Sequence, residues 1–127
     1  MTIRVYMHPS QVPGYLLDEC RKENLGAGGN LRQLLSDWID NDGYCGEHSI
    51  PAFLYMNLCV GHMAAWCIAY DHTHTHVTVS IWSVPGFRRL GYATEIVRKV
   101  ERHNHDRRIN NFKATLTARG FWNSAGW

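Results

Sequence analysis

The chain has 127 residues, 45% of them hydrophobic and 19% charged, with a formal net charge of +2. These values exclude a disordered or fibrous chain and suit one folded domain, read as residues 1–127, with a sizeable core. No run of about 18 apolar residues is present, and MTIRVYMHPS carries no charged-then-apolar leader pattern, so a soluble cytoplasmic protein with no membrane partner is expected.

Thr2 to Met7 alternates Ile3, Val5 and Met7 with polar neighbours and predicts a first strand. Two helices follow, near Tyr15 to Asn24, ended by Gly26, and near Leu31 to Asp40, where Asn30 can cap and Leu31, Leu34, Leu35 and Trp38 form one apolar face. Gly26, Gly28 and Gly29 make the loop between them. Asn41 to Pro51 is polar and turn-rich, separating the helices from a β region. Ala52 to Leu58 and Gly61 to Asp71 read as strands joined at Val60-Gly61, and a turn through His72 to Thr75 leads to a third strand, His76 to Val84. From Ala93 the apolar residues Ala93, Ile96, Val97 and Val100 take helical spacing, giving a helix from about Gly91 to Asn104. Phe112 to Thr117 alternates as a fifth strand, and His103 and His105 read as favourable charges at the helix end when protonated. Cys20, Cys45, Cys59 and Cys67 show no C-x-x-C pairing and are read as free thiols, mostly buried.

The junction Val84 to Thr94, VPGFRRLGYAT, is the most informative stretch. It joins a strand to a helix start through a basic, glycine-bearing turn, and is expected to pass directly from extended to helical backbone. A helix start exposes unpaired N–H groups and roughly half a positive charge, so this is an anion site to which Arg88 and Arg89 add charge. The surrounding charge agrees: Arg88 to Lys113 holds eight basic residues against three acids. Such a field attracts a phosphate-bearing coenzyme or a nucleic acid. The acids Glu95 and Glu101, and arginines without interleaved aromatic residues, count against nucleic acid.

The segment resembles the acetyl-CoA-binding motif of the GCN5-related N-acetyltransferase (GNAT) superfamily, a strand running into Val-x-Pro-x-x-Arg/Gln-x-x-Gly-x-Gly/Ala and a long helix. The matching positions are Arg88, Gly91 and Ala93. The resemblance implies an α+β fold, a sandwich whose mixed, mostly antiparallel sheet carries helices on both faces in the order β-α-α-β-β-β-α-β. It also implies acetyl-CoA as cofactor and an amine as acceptor. Phosphate binding then falls on Arg88, Arg89, Gly91, Tyr92, Ala93 and Thr94. Pantetheine pairing falls on the main chain of Trp82 and Val84, with an amide near Val84 polarising the thioester carbonyl. The match departs at the C-terminus, where Ala118 to Trp127 leaves no room for the family's closing helix and strand, and no tyrosine follows Tyr92.

Acetyl transfer needs a neutral amine. The strand position where several family members carry a glutamate is near Thr78 here, which cannot act as a base. His76 and His74, flanking it, are the candidates for relaying a proton through water; the alternative is that both sit at an exposed hairpin. His72, His74 and His76 form H-x-H-x-H, but the turn breaks their alignment and no native metal is expected. Tyr92 reads as packing rather than as an acid. Trp122 and Trp127 in the short tail offer a cover for the sheet end or a homodimer contact. The resulting expectation is an N-acyltransferase using direct attack in a ternary complex. The competing one is a non-catalytic interaction protein of the same fold, phage-encoded given its compressed length, that binds a partner through its aromatic tail.

Overall fold

The computed structural model describes residues 2–25, 30–46, 48–71 and 75–110. The expected strand Phe112 to Thr117, the aromatic tail and His74 lie outside them. The elements are β1 (Thr2–Tyr6), α1 (Gly14–Asn24), α2 (Asn30–Asp40), β2 (Tyr44–Cys45), β3 (Ile50–Cys59), β4 (His62–Asp71), β5 (His76–Ser83), α3 (Tyr92–His103) and β6 (Arg108–Asn110), with short 3-10 turns at Pro9–Gln11 and Pro85–Phe87. The sheet order is β1-β3-β4-β5-β6, with β2 pairing β3 off that path. All pairings are antiparallel except β5 with β6, which is parallel. Among the described residues no helix is long and apolar enough to cross a membrane.

Two differences from the sequence reading have simple causes. The polar segment 41–51 contains β2, whose two residues pair Tyr44 with Pro51 and Cys45 with Ile50; two residues are too short to show alternation. The strand after α3 begins at Arg108, before the apolar alternation that drew attention to Phe112, and it is held by backbone bonds, Arg108 N–H to the Thr75 carbonyl at 2.8 Å.

The sheet has two covered faces. On one, Leu16 and Cys20 of α1 and Leu31, Leu34, Leu35 and Trp38 of α2 pack over Ala52, Leu54, Met56, Leu58, Met63, Trp66 and Ile68. The i, i+3, i+4, i+7 stripe of α2 is buried as its spacing requires. On the other face, Ala93, Ile96, Val97 and Val100 of α3 pack over Tyr55, Ala65, Cys67, Ala69, Val77 and Val79. Each of these large apolar side chains contributes about 1.5–3 kcal/mol by leaving water, so α3 is fixed along its length against β3, β4 and β5. The buried thiols of Cys20 and Cys45 are pushed up to about 12, chiefly by burial, and that of Cys67 is raised for the same reason.

One close approach locks β3 to α2. Gly43 has φ +99°, its N–H donates to the Trp38 carbonyl at 2.8 Å, and its carbonyl accepts from Ala52 N–H at 2.9 Å. A Cβ there would run into the Met7 carbonyl oxygen. Gly43→Ala is therefore expected to destabilise the fold by about 2 kcal/mol, read as a lower urea midpoint; an unchanged midpoint would refute the close packing.

Candidate functional site

The junction between β5 and α3 is built by backbone bonds. Val84 is extended; Pro85 then starts a single 3-10 turn, with Phe87 N–H on the Val84 carbonyl at 2.8 Å. Arg88 returns to extended backbone, Arg89 is left-handed at φ 64°, and Gly91 at φ 87° turns the chain into α3. The expected direct passage from strand to helix is thus interrupted by one 3-10 turn. Its cause is Pro85, whose fixed φ favours a helical first position and which has no N–H to continue the ladder.

Among the described residues nothing covers the helix start. The first N–H of the α3 region to close a helical bond is that of Glu95, on the Gly91 carbonyl at 3.1 Å, which leaves the amides of Tyr92, Ala93 and Thr94 without intrahelical acceptors. No side chain caps them, and a Cβ built on Gly91 would meet nothing within 4 Å. Arg88 and Arg89 are exposed beside this opening, and among the described residues neither joins an ion pair. The first turn is held down by Asn57, fully buried on β3, whose Nδ2 donates to the Tyr92 carbonyl at 3.1 Å. Tyr92 packs against the α3 core and edge-on to Phe87 at 5.7 Å, and its phenol is raised first by a hydrogen bond with the Cys59 thiol. Cys59 is half-buried, more accessible than the inert core thiol the sequence suggested.

The strand feeding the cradle alternates in side chains and in backbone. Val77, Val79 and Ile81 face α3, while Trp82 joins the α1/α2 side; Thr78 and Ser80 share the face of Trp82 by the strand's period of two. Val84 N–H donates to the Ala64 carbonyl at 2.9 Å on β4. In an antiparallel pair, residues alternate between bonding the partner strand and turning away from it, so Trp82, Ser80 and Thr78 bond β4, and Val77, Val79, Ile81 and Ser83 direct N–H and C=O to the opposite edge. The Thr75 carbonyl, bonded by β6, and the Ser83 carbonyl, bonded by Arg88 Nε at 3.2 Å, have that second parity.

The expected pantetheine contacts were the main chain of Trp82 and Val84; by this register Trp82 bonds β4, the Val84 N–H bonds the Ala64 carbonyl, and the Val84 carbonyl accepts from Phe87 N–H. Ile81 and Ser83 carry the edge-directed groups. Choosing between these parities needed the register with β4, which strand alternation alone does not give. Among the described residues the parallel ladder runs from His76 to Thr78.

His76, half-buried at the start of β5, is bonded through Nδ1 to Thr75 Oγ1 at 2.8 Å. It stands seven residues from Ser83, about 23 Å along an extended strand, so it and the cradle mark opposite ends of β5. Thr78 between them is fully buried, with a hydroxyl that has no hydrogen-bond partner. His103 departs from its expected role as a charged helix end. Its Nδ1 is hydrogen-bonded with the Tyr55 hydroxyl at 2.8 Å, and its pKa is lowered by burial and then by Lys99 and Arg102. The unfolded chain, with a histidine near 6.5, therefore binds more protons, so this contribution to stability is present above about pH 6.5 and is lost as pH falls toward the lower folded pKa. Melting from pH 7.5 to 5.5 is expected to show a shallower decline in His103→Gln than in the wild type.

No protein-family model and no curated sequence matches the chain. Solved structures do. A GNAT family acetyltransferase from Streptococcus pneumoniae aligns with TM-score 0.65 at 14% identity, covering 99% of this chain and 86% of that one. An aminoglycoside 6'-N-acetyltransferase from Acinetobacter haemolyticus aligns with TM-score 0.64 at 15% identity over 100% and 90%. An aminoglycoside N-acetyltransferase in complex with coenzyme A aligns with TM-score 0.59 at 15% identity over 99% and 90%. With helices on both faces of a mostly antiparallel sheet and a helix start at the end of β5, this chain has the fold of the GNAT acetyltransferases.

Proposed function

We propose that the chain is an acetyl-CoA-dependent N-acetyltransferase acting on an amine. The observation that carries this reading is the start of α3 at the end of β5, which among the described residues is unplugged and flanked by Arg88 and Arg89 without acidic partners. A diphosphate fits that donor set: three amides at a positive helix end and two guanidinium groups. The structural neighbours that are named acetyltransferases, one of them bound to coenzyme A, support the same reading. Acetyl-CoA supplies the acetyl group as a thioester.

In this reading the amides of Tyr92, Ala93 and Thr94 and the two arginines hold the diphosphate, and the Ile81 main chain and the Ser83 N–H offer edge groups to the arm. The acceptor must lose a proton; for an amine of pKa about 10.4 this costs roughly 4–5 kcal/mol at pH 7. His76 takes that proton. Water carries it from the amine to the imidazole. The amine nitrogen bonds to the acetyl carbon, the carbon–sulfur bond breaks, and the thiolate leaves to be protonated from solvent.

Titration calorimetry with acetyl-CoA tests the reading. Binding is expected in the wild type, and Arg88→Ala should weaken it about tenfold, the value of one charge-assisted contact. Absence of heat with millimolar acetyl-CoA would overturn it. Release of free thiol with amine acceptors such as polyamines, aminoglycosides and peptide N-termini then identifies the acceptor class.

A further inference from the structure

We infer that Trp82 is a positioning residue whose indole holds the Arg88 guanidinium at the mouth of the cradle before any anion arrives. The inference rests on the proposed coenzyme reading and adds to it a role for the indole toward Arg88.

An exposed arginine on a turn ordinarily samples many rotamers, and fixing it on a ligand consumes binding energy. Arg88 is already fixed at two points. Its Cζ lies 4.8 Å from the centre of the Trp82 ring, within the range of a cation–π contact, and its Nε donates to the Ser83 carbonyl at 3.2 Å. Ser83 has the backbone parity that turns its carbonyl away from β4, so this acceptor is available on the edge where Arg88 arrives. Of the five guanidinium N–H groups, only the one on Nε is engaged by a described residue. The four on the terminal nitrogens remain for an anion.

The platform itself is rigid. Trp82 is half-buried against the α1/α2 core and stands directly opposite Trp66, which is fully buried. Three successive features of the sequence, Trp82, Ser83 and the arginine five residues after Ser83, therefore act as one unit: a flat surface, an acceptor and a planar cation that fits both. Lysine cannot replace that cation, since its compact ammonium lacks the planar fork that lies on the ring while Nε donates to the Ser83 carbonyl. The ring matters and the indole N–H does not, because the contact is made over the face.

A double-mutant cycle tests this, with coenzyme A affinity measured by calorimetry. Trp82→Leu is expected to weaken binding roughly 5- to 10-fold, while Trp82→Phe, which keeps a ring, stays within about threefold of the wild type. In an Arg88→Ala background, Trp82→Leu should cause no further loss, because its effect passes through Arg88. Arg88→Lys should behave like Arg88→Ala, within about twofold. Equal loss from Trp82→Leu in both backgrounds, or no loss in either, overturns the inference while leaving the coenzyme reading intact. If the wild type fails to bind coenzyme A, the coenzyme reading falls first and takes the inference with it. Should Trp82→Leu fail to fold, the Trp82→Phe and Arg88→Lys variants decide: tight binding by Arg88→Lys would refute the stacked arrangement.

Discussion

Gly91→Asp is expected to bind coenzyme A roughly 30-fold more weakly than Gly91→Asn, which itself loses only a few-fold. Gly91 sits at φ 87° immediately before α3, and a side chain built there meets no atom within 4 Å. Asp and Asn are the residues that best tolerate left-handed backbone, so each variant should fold with a loss of about 1 kcal/mol and a melting point lowered by roughly 3–6 °C. The two differ only in charge. A carboxylate at the lip of the cradle repels a diphosphate a few ångströms away by about 2 kcal/mol at a surface-like dielectric, which is the 30-fold difference. The measurement is coenzyme A affinity of both variants at low and high salt, and the gap should narrow as salt screens it. Equal affinities for Asp and Asn would mean that no phosphate approaches the start of α3.

The legible parts of this fold were those where one local signal decides. The change from period two to helical spacing placed β5 at His76–Ser83 and α3 at Tyr92–His103 within a residue of expectation. The face of α2 was readable because Leu31, Leu34, Leu35 and Trp38 lie on one stripe, and all four are buried. The tight turn between β3 and β4 was readable from Val60-Gly61, both of which adopt positive φ. What could not be read depends on register and on non-local contacts. Nothing in HVTVSIWSV tells which backbone groups meet β4, so assigning the edge to Trp82 and Val84 instead of Ile81 and Ser83 was an even choice, settled by one bond from Val84 to Ala64.

The same limit applied to side chains that act at a distance. Asn57 is an isolated polar residue in an apolar strand, and its sequence neighbourhood does not say that it reaches the first turn of α3, 35 residues away. His103 looked like a helix-end cation because the helix end is local information, whereas its partner Tyr55 lies on β3. The stacking of Arg88 on Trp82 was closest to being legible, since both belong to one short segment. The 3-10 turn at Pro85–Phe87 is what folds the chain back so that they meet.

Trp38→Ala is expected to cost about 3–5 kcal/mol, the range for deleting a large buried aromatic side chain, and so to consume a large share of the roughly 5–15 kcal/mol that holds a domain together. Trp38 is fully buried at the centre of the α1/α2 core, and its Nε1 donates to the Ala52 carbonyl at 3.0 Å. Its own carbonyl accepts from Gly43 N–H, and Gly43 in turn accepts from Ala52 N–H. The side chain therefore fills the core and also closes a ring of bonds that fixes α2 against the start of β3. Alanine leaves a cavity and an unpaired Ala52 carbonyl. Phenylalanine leaves mostly the unpaired carbonyl, and Trp38→Phe should lose about 1–3 kcal/mol. Urea unfolding should show both midpoints shifted, alanine more than phenylalanine, with unchanged slopes if the native and unfolded states keep their extents. Because α2 backs the face on which Trp66 and Trp82 lie, and not the α3 cradle itself, the folded fraction of either variant should bind coenzyme A within a few-fold of the wild type. A folded Trp38→Phe that had lost all binding would show that the α1/α2 core shapes the cofactor site directly.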